Sequence, residues 1–243
     1  FDNNYLDSGT SKVHSVLKDN AGNLWIAIYQ KGVMMIPAQP NSFKYIGYKS
    51  INKNIIGSNC ITSLCRDHEG ILWIGTDNDG IYGITTELKQ KVHYAPHDSP
   101  SSVPSTVFGL YEDSEHNLWF GSYTNGLGRL DKKTGQCSYL QNLTDKNGNR
   151  IQRVYDLVED QDKRLWIATM GAGLFYYDLK TGQSVYDPKF NAATKKYKWI
   201  SCLLYAGDNH LYVGTYDGIR CIDLSTDDFK TEEILSRHII HSL

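Results

Sequence analysis

The chain has 243 residues, of which 40% are hydrophobic and 21% are charged. This composition is too apolar for a disordered segment and too polar for a membrane bundle, so we expect a folded globular protein. Lysine and arginine total 25 against 27 acidic residues, a net charge of -2, which lacks the basic excess that drives nucleic-acid binding. The abundance of tyrosine and glycine favours turn-rich β structure over long helices.

An aromatic anchor recurs along the chain at nearly constant spacing. The anchors, which lie 48, 46, 47 and 46 residues apart, are Trp25, Trp73, Trp119, Trp166 and Tyr212. Within each repeat, four short apolar stretches are separated by glycine, aspartate, asparagine and proline, which predicts four β-strands, here called A to D. Four-stranded units of this length are typical of β-propeller blades.

The sequence therefore predicts an all-β protein, a β-propeller of four-stranded antiparallel blades. We expect five blades near residues 13–48, 61–94, 107–140, 154–186 and 200–235, followed by the start of another at 239–243. The segment Ile240-His-Ser-Leu243 repeats the strand A opening Val13-His-Ser-Val16. This similarity favours the interpretation that residues 1–243 are part of a seven-bladed propeller. A closed ring of five blades is the alternative, if the last residues complete the sheet of the first blade.

The anchor tryptophans are expected to pack between neighbouring blades. An aspartate stands six residues before each of the four tryptophans, as in Asp67-His-Glu-Gly-Ile-Leu-Trp73. We expect these aspartates to shape the A–B hairpins through hydrogen bonds to the backbone. Neither residue type is predicted to be catalytic.

Several familiar signals are weak or missing from the sequence. The five cysteines form no Cys-x-x-Cys pair, so neither a zinc site nor a dense disulfide framework is indicated. The segment Asp77-Asn-Asp-Gly80 begins like a calcium loop but lacks the later acidic ligand. We therefore predict no metal site and no cofactor. No apolar run approaches the roughly 18 residues that a membrane span requires.

The repeat, written out as Val-x-x-Leu-x-x-Asp-x-x-Gly-x-Leu-Trp-Ile-Gly-Thr-x-x-x-Gly-Leu, resembles the two-component regulator propeller repeat. Stretches such as Leu24-Trp-Ile-Ala-Ile-Tyr-Gln-Lys-Gly-Val33 and Tyr212-Val-Gly-Thr-Tyr-Asp-Gly218 are similar to the periplasmic sensor region of hybrid two-component regulators of gut Bacteroidetes. The last repeat departs from the pattern, because Tyr212 replaces tryptophan and the following loop is one residue shorter.

The resemblance implies a larger protein anchored in the inner membrane, with this chain on the periplasmic side. Its other modules would be a second propeller, a β-sandwich, a transmembrane helix, a histidine kinase, a receiver and a helix-turn-helix domain. Such proteins sense oligosaccharides released from glycans and, through a phosphorelay, control transcription of polysaccharide-utilisation genes. The implied partners of this chain are the oligosaccharide, the other modules and, as one alternative, a second copy of the chain.

The order of strands in a blade predicts which loops share a face. In an up-and-down sheet, the B–C and D–A connections lie at one end and the A–B and C–D turns at the other. The D–A connections are about 12 to 13 residues long, and loops of that length more often carry function than short connections do. Amide, carboxylate and aromatic groups on such a face suit a sugar, which offers hydroxyls and apolar C–H surfaces.

We predict a ligand site on that face and no catalytic residue in this chain. The predicted ligand-binding residues are Tyr29, Gln30, Asp77, Asn78, Tyr123, Asn125, Tyr216, Asp217, Arg153 and Trp199. The alternative interpretation is that the loop residues are solvated hairpin tips. Two other functions stay open: a protein–protein interaction scaffold, and a glycan-active enzyme in which Asp77, Asp79 and Asp217 supply a carboxylate pair.

Overall fold

The computed structural model describes residues 12–38, 44–47, 55–87, 89–145, 147–186, 199–226 and 229–243. Within these residues, twenty β-strands form five antiparallel sheets and no helix is present. Each sheet contains four consecutive strands in the order in which they occur in the chain. The inner strands of consecutive sheets are in contact, so the five sheets are the blades of a propeller ring. The all-β propeller prediction is confirmed.

Each strand position recurs five times. The A strands, which line the propeller axis, are β1 (Val13–Lys18), β5 (Ile61–Arg66), β9 (Val107–Glu112), β13 (Val154–Glu159) and β17 (Ile200–Tyr205). The B strands are β2 (Leu24–Ile28), β6 (Leu72–Thr76), β10 (Leu118–Ser122), β14 (Arg164–Thr169) and β18 (His210–Thr215). The C strands are β3 (Gly32–Ile36), β7 (Ile81–Ile84), β11 (Leu127–Leu130), β15 (Leu174–Asp178) and β19 (Gly218–Asp223). The outer D strands are β4 (Lys44–Ile46), β8 (Gln90–Tyr94), β12 (Cys137–Tyr139), β16 (Gln183–Tyr186) and β20 (Lys230–Ser236).

The hydrophobic core lies between the blades. Every residue of β6 and of β10 is buried, because a B strand is covered on both faces by the neighbouring blades. Trp73 of the second blade packs in one cluster with Phe120 of the third, and Trp166 of the fourth blade packs with Val213 of the fifth. The predicted role of the tryptophans as wedges between blades is confirmed.

The aspartate before each tryptophan forms a bond that the repeat pattern did not predict. Besides accepting backbone N–H groups in the A–B turn, as Asp67 does from Ile71 at 2.8 Å, it accepts the indole Nε1–H. The four Asp Oδ2–Trp Nε1 distances are 3.0, 2.8, 2.7 and 2.7 Å, for the pairs Asp19–Trp25, Asp67–Trp73, Asp113–Trp119 and Asp160–Trp166. The aspartate thus joins each turn to the buried ring and satisfies its N–H.

Each A strand contains a β-bulge at its second residue. In β9, for example, Val107 pairs with Ser122 and Gly109 with Gly121, which leaves Phe108 without a partner in β10. The same register shift occurs in β1, β5, β13 and β17. A bulge turns a side chain away from the regular alternation of the strand. The five bulge residues are His14, Thr62, Phe108, Tyr155 and Ser201.

The C-terminal segment lies beside the fifth blade. Ile240 donates its N–H to Thr215 O at 3.0 Å, and its carbonyl accepts the hydroxyl of Ser201. The carbonyl of Val107, at the start of β9, accepts the hydroxyl of Thr62 from the second blade in the same way. Residues 239–243 thus occupy, beside the fifth blade, the position that strand β9 occupies beside the second blade. The expectation of a seven-bladed parent propeller stays a prediction.

The described part of the chain contains no helix that is long and apolar enough to cross a membrane. All five cysteines are free thiols, and no disulfide joins them. Burial raises the pKa of Cys137 to about 12, so this thiol is protonated and unreactive at neutral pH.

Candidate functional site

The B–C and D–A connections meet on one face of the propeller, here called the B–C face. Tyr29, which follows β2, donates its N–H to Lys12 O at 2.8 Å, and Lys12 lies directly before β1. Arg153, which lies directly before β13, donates its N–H to Tyr123 O of the preceding blade at 3.2 Å. These bonds hold each loop tip against the start of an A strand, as the strand order predicted. Residues 48–54 and 187–198 of the long connections lie outside the described residues.

Exposed aromatic rings are concentrated on this face. Within the described residues, the large apolar side chains that are exposed include four aromatic ones, and all four belong to the B–C face. They are Tyr29 at 39%, Tyr123 at 42%, Trp199 at 41% and Tyr216 at 41% exposure. Exposed apolar side chains that are grouped on one face indicate a ligand or partner site, whereas scattered ones do not. All four were among the predicted ligand-binding residues.

Two of these rings form a surface pair at the fifth blade. The rings of Trp199 and Tyr216 lie 5.7 Å apart with an interplanar angle of 34°. The backbone holds them there, because Tyr216 donates its N–H to Trp199 O at 3.3 Å and Trp199 forms an isolated bridge with Met170 of the fourth blade. The pair presents a continuous apolar surface beside the fourth and fifth blades.

A second group of rings surrounds the start of β9 and β13. Phe108 stacks on Tyr155 at 4.2 Å between ring centroids and meets the edge of Tyr123 at 5.9 Å. The guanidinium of Arg153 lies over the Tyr123 ring at 5.1 Å, a distance at which a cation and an aromatic face attract each other. At the first blade, His14 stacks on Tyr29 at 5.1 Å.

Electrostatic effects indicate that loops of several blades converge. Burial raises the pKa of Tyr155 to about 12, and the nearby Tyr216, Tyr123 and Asp77 add to the shift while Arg153 opposes it. Burial and the neighbouring His241 lower the pKa of His14, and Asp77 acts in the opposite direction. Groups from the second, third and fifth blades therefore influence one phenol of the fourth, so these side chains lie near one another.

The predicted polar residues differ in their burial and in the hydrogen bonds that fix their side chains. Asp77 is partly buried, and its Oδ1 accepts the hydroxyl of Thr106 at 2.8 Å. The amide oxygen of Asn78 accepts the hydroxyl of Ser58 at 3.1 Å. Gln30 is exposed and has a φ of 55°, the left-handed conformation of a tight turn.

The remaining predicted residues occupy the same face. The carbonyl of Asn125 accepts a hydrogen bond from the Arg150 guanidinium at 3.2 Å, so Asn125 lies at the loop of the third blade. Asp217 donates its N–H to Thr215 Oγ1 at 3.1 Å. Asp79 differs from both, because its carboxylate accepts the Tyr82 hydroxyl and lies 3.3 Å from His93 Nε2. Asp79 therefore has local partners within the second blade.

Sequence reasoning missed the bulge residues, of which His14, Phe108 and Tyr155 carry the rings that support the exposed aromatics. A signal was available in the repeat alignment. The first residue of each A strand is always valine or isoleucine, whereas the second is histidine, threonine, phenylalanine, tyrosine or serine. A variable position between repeated ones is expected where the fold is constant and the side chain serves a separate role.

Comparison with known proteins supports the repeat assignment. Residues 55–78, 101–124 and 148–171 match the family model of the two-component regulator propeller. Each match covers the end of one blade connection, strand A, the A–B turn and strand B. No curated protein sequence matches the chain.

Solved structures share the fold. Two structures of an extracellular domain from B. thetaiotaomicron, described as a one-component and as a hybrid two-component system, match with TM-scores of 0.74 and 0.72 at 17% identity. They cover 95% and 93% of this chain, but only 32% and 31% of their own chains. Virginiamycin B lyase from Staphylococcus aureus matches with a TM-score of 0.67 at 15% identity, covering 95% of this chain and 72% of the lyase. This chain thus spans about a third of the length of the extracellular domains.

Proposed function

We propose that this chain, which carries two-component regulator propeller repeats, is a periplasmic ligand-sensing segment of a hybrid two-component signal transduction protein. In this proposal its ligand is a glycan-derived oligosaccharide, and the output is transcription of polysaccharide-utilisation genes through the kinase and receiver of the same protein. The ligand proposal rests on the exposed aromatic rings of the B–C face, which are those of Tyr29, Tyr123, Trp199 and Tyr216.

The chemistry of this face suits a sugar. Exposed rings such as the Trp199–Tyr216 pair offer flat apolar surfaces to the C–H faces of a pyranose. Polar groups between them, including the Asp77 carboxylate and the Arg153 guanidinium, are able to accept from and donate to hydroxyls. Because the backbone fixes the loop tips to the A strands, little ordering entropy is lost on binding, which favours affinity.

The proposed signal is a shift between arrangements of modules. A ligand changes an equilibrium only if it binds one arrangement more tightly than another. The B–C face collects groups from several blades, as the effects of Asp77 and Tyr216 on Tyr155 indicate. A ligand that contacts these groups together would favour one relative position of the blades. The remaining propeller, the β-sandwich, the kinase modules or a second copy of the chain would then receive the change.

Binding without cleavage is proposed because two of the three candidate carboxylates, those of Asp77 and Asp79, already have local partners. Asp79 has Tyr82 and His93 as neighbours and serves the packing of its own blade. A glycosidase requires two carboxyl groups about 5 to 9.5 Å apart with the sugar between them. Asp77, itself bonded to Thr106, is better suited to orient a hydroxyl.

The proposal is tested by thermal-shift screening of the protein against plant and host oligosaccharides, with chromatography of each sugar after incubation. A ligand at about 100 times its Kd stabilises the native state by about 2.7 kcal/mol, which raises the melting temperature by roughly 5–10 °C. We expect one sugar family to give this shift and to be recovered intact. Cleavage of the sugar would favour the enzyme alternative, and no shift across the panel would favour the interaction scaffold.

A further inference from the structure

A cluster of two histidines and a glutamate lies on the face opposite to the B–C face, at the junction of the second and third blades. His68 belongs to the A–B turn of the second blade, and His116 to that of the third. Glu112 ends β9 and lies close to both histidines. Among the described residues, these three form the group whose ligand atoms all lie within 4.8 Å of one another. The repeat pattern did not predict this cluster, because 44 residues separate His68 from Glu112.

The contacts within the cluster are short. Nδ1 of His68 lies 2.8 Å from Oε1 of Glu112, and the backbone N–H of His68 donates to Oε2 at 2.6 Å. The rings of His68 and His116 stack with their centroids 3.7 Å apart. Both histidines are exposed, whereas the Glu112 side chain is only 9% exposed. A largely buried carboxylate is thus accompanied by two exposed, stacked imidazoles.

The neighbouring junction shows which part of this arrangement the fold requires. Between the third and fourth blades, Ser114 takes the place of His68 and donates its N–H to Glu159 Oε2 at 2.6 Å. Lys163, in the place of His116, has its Nζ 3.4 Å from Glu159 Oε1. The contact between carboxylate and backbone is therefore a feature of the repeat, whereas the two histidines occur only at the first of these junctions. Packing does not require them.

The charge of the cluster favours a cation. Glu112 accepts hydrogen bonds from the His68 N–H and from Lys132. Lys132 Nζ lies 2.7 Å from Glu112 Oε1 and 3.3 Å from Asp67 Oδ2, so two carboxylates face one ammonium.

We propose that His68, Glu112 and His116 bind a divalent transition-metal ion, with Zn²⁺ the best match, between the second and third blades. Two imidazoles and one carboxylate are a common zinc ligand set, which water completes. Tetrahedral bonds of about 2.1 Å place ligand atoms about 3.4 Å apart. The ligand atoms of the three residues all lie within 4.8 Å of one another, and rotation of the two exposed imidazoles would bring them to this spacing while the His68 N–H holds Glu112. The ion would join two A–B turns and thereby fasten the two blades together.

The test is calorimetric titration of the protein with Zn²⁺ in a non-coordinating buffer. We expect one ion per chain. The double variant His68→Ser/His116→Lys copies the neighbouring junction and should fold normally, yet we expect its zinc affinity to fall at least tenfold. His97→Gln, which changes an exposed histidine outside the cluster, should leave the affinity unchanged. Zinc binding that is equal in the double variant and the wild type, or no zinc binding at all, would overturn the proposal.

A gain of function provides an independent test. Ser114→His/Lys163→His introduces the same three ligands at the neighbouring junction around Glu159, and we expect the stoichiometry to rise from one ion to two. The Co²⁺-loaded wild type should show d–d absorption without a thiolate charge-transfer band, which separates this site from the five free cysteines. A thiolate band, or a stoichiometry that stays at one, would contradict the assignment.

Discussion

The rings of Trp199 and Tyr216 lie 5.7 Å apart on the B–C face, and both side chains are 41% exposed. Trp199 directly precedes β17 and Tyr216 directly follows β18, and because these strands are antiparallel both residues lie at the same end of the fifth blade. The hydrogen bond from Tyr216 N–H to Trp199 O sets their separation. The fold thus positions two exposed rings side by side on the B–C face.

If this pair binds the sugar, its removal should weaken binding. We expect Trp199→Ala and Tyr216→Ala each to lower the affinity for the oligosaccharide at least tenfold, which corresponds to about 1.4 kcal/mol. Isothermal titration calorimetry measures the change. Ile234→Ala removes another exposed apolar side chain, 53% exposed on the outer strand β20, and should leave the affinity unchanged. Equal losses in all three variants would argue against a specific site.

The Asp77 carboxylate is expected to bind a sugar hydroxyl. Asp77→Asn keeps an oxygen for the bond from Thr106 but removes the negative charge, so the fold should be preserved. We expect the affinity for the oligosaccharide to fall several-fold, because hydrogen bonds to a charged acceptor are about twice as strong as neutral ones. Asp98→Asn, at an exposed position, is the control. An unchanged affinity in Asp77→Asn would remove this residue from the site.

The buried aspartates of the A–B turns should dominate stability. Asp160 is 4% exposed and accepts from Trp166 Nε1 at 2.7 Å and from Arg164 Nε at 2.6 Å. Asp160→Ala leaves both donors without this partner, and we expect a loss of about 3 kcal/mol in the free energy of unfolding by urea. Asp162 contacts the same arginine at 3.0 Å but is 56% exposed. Asp162→Ala should cost less than about 1 kcal/mol, and a similar cost for both variants would contradict this account.

Asp156 should make stability depend on pH. Burial raises the pKa of Asp156 to about 6, and hydrogen bonds from the N–H groups of Leu203 and Leu157 only partly offset it. A folded-state pKa above that of the unfolded chain means that the native state binds the proton more tightly. Stability from this group is therefore full below about pH 4 and is lost as the pH rises to about 6, by roughly 1 to 3 kcal/mol.

This pH effect is measured as the difference in unfolding free energy between the wild type and Asp156→Asn from pH 4 to pH 7. The asparagine does not titrate, so the wild type should gain stability relative to the variant as the pH falls. A difference that stays constant over this range would show that Asp156 has an ordinary pKa in the folded protein.

The sequence predicted the propeller because its signal is local and repeated. Trp73 and its counterparts recur at a spacing that only a few architectures use, and the strand order then fixes which loops share a face. Tyr29, Tyr123 and Tyr216 were found in this way, since each directly follows a B strand. Contacts between residues of different blades were not predictable, because nothing in the chain before folding relates Phe108 to Tyr155.

Two further features required the structure. The β-bulge at the second residue of each A strand depends on the pairing register between strands A and B, and this register determines where His14 and Tyr155 point. The cluster of His68, Glu112 and His116 depends on how one A–B turn meets the next blade. Both arise from packing between elements, whereas the repeat pattern describes each element alone.

A ligand on the B–C face should be visible in tryptophan fluorescence during titration with an oligosaccharide that raises the melting temperature. Trp25, Trp73, Trp119 and Trp166 are at most 5% exposed, whereas Trp199 is 41% exposed, so Trp199 is the indole that a ligand on the B–C face is able to cover. We expect a saturable blue shift of the emission that is abolished in Trp199→Phe. A bound sugar that leaves the wild-type spectrum unchanged, or that shifts the variant equally, would contradict a ligand site on this face.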